Sequence, residues 1–177
     1  MRALFSLLPL LPLFAACTGT GSTAERVQHP AEPEALVFIE SLYESFDFDR
    51  GAEPDWESMR ALFAEGATFV APFAQGDVPR AVGEEAFLDD FRTWVQSEEM
   101  QSTGLHEHVL QTRVETFGVI AHAWVSFEGL LPETGEQRSV GVDSLQLVLA
   151  PEGWRLASFT TQYTREGLPL PDFLVPR

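Results

Sequence analysis

Val142-Asp143-Ser144-Leu145-Gln146-Leu147-Val148-Leu149 puts Asp143, Leu145, Leu147 and Leu149 on one side of an extended chain and Ser144 and Gln146 on the other. A period of two belongs to a β-strand, and a carboxylate on its apolar side is an anomaly that calls for a chemical reason. Upstream, Val119, Ala121, Ala123, Val125 and Phe127 form a matching apolar register. Four β segments follow from this pattern, over about 105 to 116, 119 to 129, 139 to 149 and 153 to 164. Turn signals stand at Phe117-Gly118, Pro132 to Gly135 and Pro151 to Gly153. Such short connections imply antiparallel neighbours.

Before residue 105 the period is helical. Ala35, Phe38, Ile39, Leu42 and Phe46 recur behind Pro33, which predicts a helix over about 33 to 47. Asp55 is placed to cap a second helix bearing Trp56, Met59, Leu62 and Phe63, with Gly66 as its stop. Ala67 to Ala71 reads as a short strand, and Phe87, Leu88, Phe91, Trp94 and Val95 mark a third helix from near Gly83 to about Glu99. Helices first and a meander afterwards predict an α+β domain, its three N-terminal helices packed on a curved antiparallel sheet.

The start of the chain carries a different message. One basic residue, Arg2, precedes a mostly apolar run ending in Leu13-Phe14-Ala15-Ala16-Cys17. That run is too short for the roughly twenty residues of a membrane span and is interrupted by Pro9 and Pro12. The stretch resembles the lipobox of bacterial lipoproteins, which implies a signal peptide over 1–16 and a lipidated Cys17 as the first mature residue. The other reading is an ordinary secretory signal with Cys17 incidental. Cys17 is the only cysteine, so no internal disulfide is available to an exported domain. Residues 17–32 are rich in Thr, Gly, Ser and Ala and read as a tether. The globular domain is expected over 33–165, followed by a tail over 166–177 containing Pro169, Pro171 and Pro176. That tail is expected to strap over the domain, with plugging the interior or holding a partner as alternatives.

Beyond Cys17 stand 27 acidic residues against ten arginines, a net charge of −17 by difference, and the chain has no lysine. Nucleic acid and anionic lipid headgroups require a basic face, so neither is expected as a partner. Walker loop, nucleophile elbow, dinucleotide-binding glycines and Cys-X-X-Cys are all missing from the sequence. The expectation is therefore a domain without a cofactor.

Leu62-Phe63-Ala64-Glu65-Gly66-Ala67-Thr68-Phe69, Val125-Ser126-Phe127-Glu128, Val142-Asp143-Ser144-Leu145-Gln146-Leu147 and Phe117-Gly118-Val119-Ile120-Ala121-His122 follow one another in an order that resembles the nuclear transport factor 2-like (NTF2-like) superfamily. Its members include SnoaL-like polyketide cyclases, scytalone dehydratase and ketosteroid isomerase. The resemblance covers most of residues 34 to 164 and implies a cone-shaped fold with ligands held inside the cone. In the ketosteroid isomerases it also implies three polar groups. The base before a proline corresponds here to Ala71-Pro72, which cannot take a proton. The helical tyrosine corresponds to Phe38, with Tyr43 nearby but on a different helical face. Only the oxyanion-hole aspartate is matched, by Asp143. Steroid-type isomerisation is therefore set aside.

Two readings of Asp143 stand: an interior acid with a raised pKa, or a structural partner of an arginine such as Arg60 or Arg92. His106 and His108 share one strand face. With the turn at Phe117-Gly118, His122 is placed near Arg113, roughly 17 Å along the sheet from His108, so three histidines cannot meet and no metal site is expected. Glu107 points to the opposite face from its histidine neighbours. His122, Trp124, Ser126, Ser144, Gln146, Trp154, Ser158, Thr160 and Gln162 make up the even-numbered face, read as a homodimer contact. If a β-bulge reverses the faces, His122, Gln146 and Thr160 line the pocket instead, as acid, orienter and donor of an enzyme.

Two functions follow. The first is a lipid-anchored protein of the bacterial envelope that binds a small apolar molecule between Phe38, Phe69, Phe73, Phe91, Trp94, Val125 and Phe127, or acts as a dimeric interaction module. The second is a cofactor-free lyase, isomerase or hydrolase in which Asp143 is catalytic together with Tyr163 or a histidine. An enzyme needs at least two convergent polar groups in the pocket, whereas a binder needs only its walls.

Overall fold

Ala35, Ile39, Leu42 and Tyr43 return to one side of a helix every three or four residues, and that side is buried along α1 (Glu32–Glu44). The computed structural model of the protein describes residues 32–72 and 79–176. The signal segment, Cys17, the tether up to residue 31 and Phe73 lie outside the described residues. Asp55 caps α2 (Trp56–Ala61) by accepting the backbone N–H groups of Glu57 and Ser58. α2 is shorter than its apolar pattern suggests, because Phe63 already belongs to β1 (Phe63–Val70). Gly66, expected to stop the helix, sits inside β1 at φ 77°, where the register shifts between Phe63 and Thr68.

After the two-residue strand β2 (Val82–Gly83) comes α3 (Glu84–Val95), and then a short separate helix, α4 (Glu98–Thr103). One helix was expected over this stretch. Ser97 breaks it by leaving helical geometry and accepting the Met100 N–H, which starts a new helix. The described residues thus hold four helices, two of them long, rather than three. Gly104 ends α4 at φ 72°, and a Cβ there would lie 2.6 Å from the carbonyl oxygen of Phe48.

The meander is β3 (His106–Phe117), β4 (Ile120–Leu130), β5 (Gln137–Ala150) and β6 (Gly153–Tyr163). The sheet order is β2-β1-β6-β5-β4-β3. One neighbour pair departs from the antiparallel expectation: β1 and β6 run parallel, because the chain completes the whole meander before its last strand docks beside the first. Register shifts at Leu110 in β3 and Ala157 in β6 bend the sheet. They also exchange faces locally. Trp154, expected on the outer face, is buried on the core side with Leu156, whereas above the shift Phe159 and Thr161 face inward.

α1 lies on β3 and β6, and α3 lies on β1. Between the helices and the sheet sits one aromatic-rich core in which Phe69 and Phe87 stack at 4.2 Å. The tail returns across the outer face, as expected of a strap. Its 3-10 turn, Asp172–Leu174, packs on β3 and β4, and Ser126 donates to the Leu174 carbonyl at 2.7 Å. This cover explains why Ser126 is fully buried on an otherwise exposed face. No helix among the described residues is long and apolar enough to cross a membrane.

Candidate functional site

Asp143 faces inward, as its alternation with Leu145 and Leu147 requires, and is 0% exposed. Val125 and Thr161 are its cross-strand neighbours on β4 and β6. Neither Arg60 nor Arg92 reaches it: Arg60 pairs with Glu84 and Glu85, and Arg92 with Asp89. Its partner is Tyr43 of α1, 1% exposed, whose hydroxyl donates to Asp143 Oδ2. Helical spacing from Phe38 placed Tyr43 on another face. The buried stripe is in fact set by Ala35, Ile39 and Leu42, which includes Tyr43 and leaves Phe38 half-buried at its edge.

Burial dominates the electrostatics. It pushes the Asp143 carboxyl up to about 7, against the smaller opposing effect of Tyr43 and then Thr161. Burial and the adjacent Asp143 likewise hold the Tyr43 hydroxyl well above its ordinary value. Asp143 Oδ1 and Thr161 Oγ1 are both buried without a hydrogen-bond partner. The hydroxyl is near enough across the strands to favour the charged carboxyl, yet not aligned to bond it.

Glu107 is the acid that the sequence reading passed over. It sits opposite Gly129, below the Leu110 shift, on the inward face of β3. The signal was available, since the alternation that sends His106 and His108 outward sends Glu107 inward. Glu107 is half-buried, with one edge on an outer cleft, and its backbone N–H donates to Asp47 Oδ1 at 2.7 Å. Burial first, then the nearby Asp143 and Asp47 carboxylates, push its side chain up to about 8. Burial also raises the Asp47 carboxyl, and raises the Tyr163 hydroxyl above its ordinary value.

Two enclosures meet at Glu107. The inner one is a cavity of about 40 Å³ walled by Phe46, Phe87, Phe91, Trp94, Phe127 and Phe159, with Glu107, Thr161 and Tyr163 as its polar groups. The outer one is a cleft of about 380 Å³ between α1 and β3, lined by Glu40, Tyr43, Glu44, Asp47, Glu107, His108 and Val109. Of the expected ligand contacts, Phe91, Trp94 and Phe127 line the cavity, whereas Phe69 and Val125 are packed in the core away from it. Tyr163 lines the cavity with its ring 6.0 Å from that of Phe127. Asp143 does not reach either wall and is sealed behind them. Phe127 is held in place by Gly141, where a Cβ would lie 2.6 Å from its ring.

The histidines stay apart. His122 stands opposite Glu115, two residues beyond the expected Arg113, while His108 stands opposite Glu128. Among the described residues no three His, Cys, Asp or Glu side chains gather as metal ligands. On the outer face His122 approaches Ser144 Oγ at 3.2 Å and packs edge-on to Trp124. Arg113 and Phe173 of the tail complete a shallow surface pocket there.

No protein-family model and no curated protein matches the sequence. Solved structures do match. A protein of unknown function with a cystatin-like fold from Nostoc punctiforme aligns at a TM-score of 0.61 and 14% identity, covering 79% of this chain and 95% of that one. A dehydratase candidate of the NTF2-like family from Streptomyces avermitilis aligns at 0.55 and 17%, covering 75% and 95%. Yeast UBP3-associated protein BRE5 aligns at 0.55 and 11%, covering 77% and 98%. At such identities the likeness speaks for architecture alone: the described chain has the NTF2-like, cystatin-like α+β fold with a curved six-stranded sheet.

Proposed function

We propose that this protein is a lipid-anchored, envelope-facing binding protein whose NTF2-like domain takes a small, largely apolar molecule into the cavity beside Phe127. The observation that carries this reading is the composition of the cavity wall. Six aromatic side chains surround an opening whose three polar groups, Glu107, Thr161 and Tyr163, are enough to orient a ligand. Cys17 is the proposed lipid attachment site, acyl chains contributing about 0.8 kcal/mol per buried CH₂. The outer face, where Trp124 and Ile120 are exposed, is the proposed dimer contact beside the strap.

One observation favours a second reading, a cofactor-free lyase, isomerase or hydrolase using Asp143. A carboxyl raised to about 7 and bonded to a buried phenol is poised to hold or give up a proton near neutrality. Against it stands access, since Asp143 is 0% exposed and off the cavity wall. Binding is the better-supported reading.

Native mass spectrometry of the full chain from its source cells tests these proposals together. The expected result is an acyl mass on Cys17, a dimer, and a retained small molecule that is lost when Gly141→Val drives the Phe127 ring into the cavity. An unmodified, ligand-free monomer overturns the proposal.

A further inference from the structure

Resting on the binding reading, we propose that the ligand is a small organic amine in its ammonium form, drawn through the acidic cleft between α1 and β3 and held in the aromatic cavity with Glu107 as its counter-charge. The two enclosures share Glu107, so one carboxyl stands against both the acidic cleft and the aromatic cavity. The cleft wall carries four carboxylates and one histidine, and neither enclosure includes an arginine. A cation is the one charge such walls favour.

Three features support the choice beyond acidity. Thr161, 7% exposed, lines the cavity beside Glu107 and Tyr163, so the polar groups gather on one side of an otherwise aromatic wall. Rings of Phe and Trp attract a cation through their faces, most strongly when it is desolvated. This wall already does so, as the Arg138 guanidinium, held by Glu99 at 2.9 Å, rests 6.0 Å over Trp94. The third feature is the cost of burying a lone cation, which falls only when a paired anion stands beside it. Glu107 can supply that anion by giving up a proton as the amine enters, because its carboxyl is pushed up to about 8. The charged and titratable groups around Glu107 are Tyr43, Asp47, Asp143 and Tyr163, with Glu40, Glu44 and His108 on the cleft wall and Arg138 beyond Tyr163. A cavity of about 40 Å³ holds roughly three water-sized groups, so the part that enters has about three or four non-hydrogen atoms. The cleft has room for the remainder of a larger amine.

Isothermal titration of the full chain at pH 7 with isopropylammonium chloride and with propan-2-ol separates charge from shape. The amine is expected to bind at least tenfold more tightly and to release close to one proton, read from buffers of different ionisation heat. Glu107→Gln is expected to bring the amine within twofold of the alcohol while alcohol binding persists, which also reports that the variant is folded. Should that variant fail to fold, the proton release of the unaltered protein still decides. Alcohol binding as tight as the amine, or amine binding without proton release, overturns this proposal and leaves the apolar-ligand reading in place. Binding of neither overturns both.

Discussion

The Asp143 end of the sheet and the Glu107 cleft carry the same functional group under opposite conditions of access. Asp143 is enclosed on every side, bonded to Tyr43 and faced by Thr161. Glu107 lines both the aromatic cavity and the acidic cleft. Both carboxyls rise for the same first reason, the loss of water, yet only one of them can meet a ligand. A raised pKa therefore locates buried acids, and geometry decides which of them has chemistry to do.

Several changes break or sharpen this contrast. Asp143→Ala removes the acceptor of a buried phenol and opens a void, and is expected to cost about 3 kcal/mol, a fall in Tm on the order of 10 °C by calorimetry at pH 6. The corresponding Glu107→Ala, at a half-buried edge, is expected to cost less than half as much.

Acidity provides the next largest effect. Both carboxyls titrate near 4 when unfolded and at about 7 and 8 when folded. The folded state thus binds more protons between these limits, so their contribution to stability is complete below about pH 4 and is lost as pH rises through 7 to 8. Counting half of the full 1.4 kcal/mol per pKa unit, the Asp143 share of the drop in unfolding free energy from pH 5 to pH 8 is expected to be about 1.4 kcal/mol. Asp143→Asn should remove the Asp143 share of the slope and leave that of Glu107 in denaturant titrations, and a slope left unchanged would assign the loss to other groups.

Tyr43→Phe leaves Asp143 Oδ2 without its donor, at about 1 to 2 kcal/mol. Because that bond favours the charged carboxyl, the Asp143 carboxyl resonance is expected to titrate at higher pH in the variant. The smallest effect belongs to the outer face. His122→Ala loses a part-buried contact with Ser144 and an edge-on contact with Trp124, and is expected to change stability by less than about 0.5 kcal/mol under the same calorimetric conditions.

Much of the fold was legible because its strands are long and regularly patterned. Alternation from Leu145 to Leu149 and the turn residues placed the meander and turned Asp143 inward before any coordinates. What escaped was set by single residues acting against pattern. Leu110 and Ala157 each add one residue to a strand, the second of which turns Trp154 to the core, and no composition signal marks such an insertion. Ser97 divides one apolar helical pattern into two helices. In the site, Tyr43 was misplaced because its face was measured from Phe38 rather than from the Ala35–Ile39–Leu42 stripe. The parallel pairing of β1 with β6 is a long-range choice that no local sequence encodes.

Gly141 gives the cavity an unusual mechanical property. With no side chain of its own, it lets the Phe127 ring lie flush on β5, between Tyr43 and Tyr163. The backbone behind that ring belongs to a central strand and cannot yield, so any bulk added at position 141 is transmitted inward through Phe127. Position 141 therefore behaves as a size dial, offering a way to narrow the binding space in steps of one methyl group by displacing the Phe127 wall without substituting it.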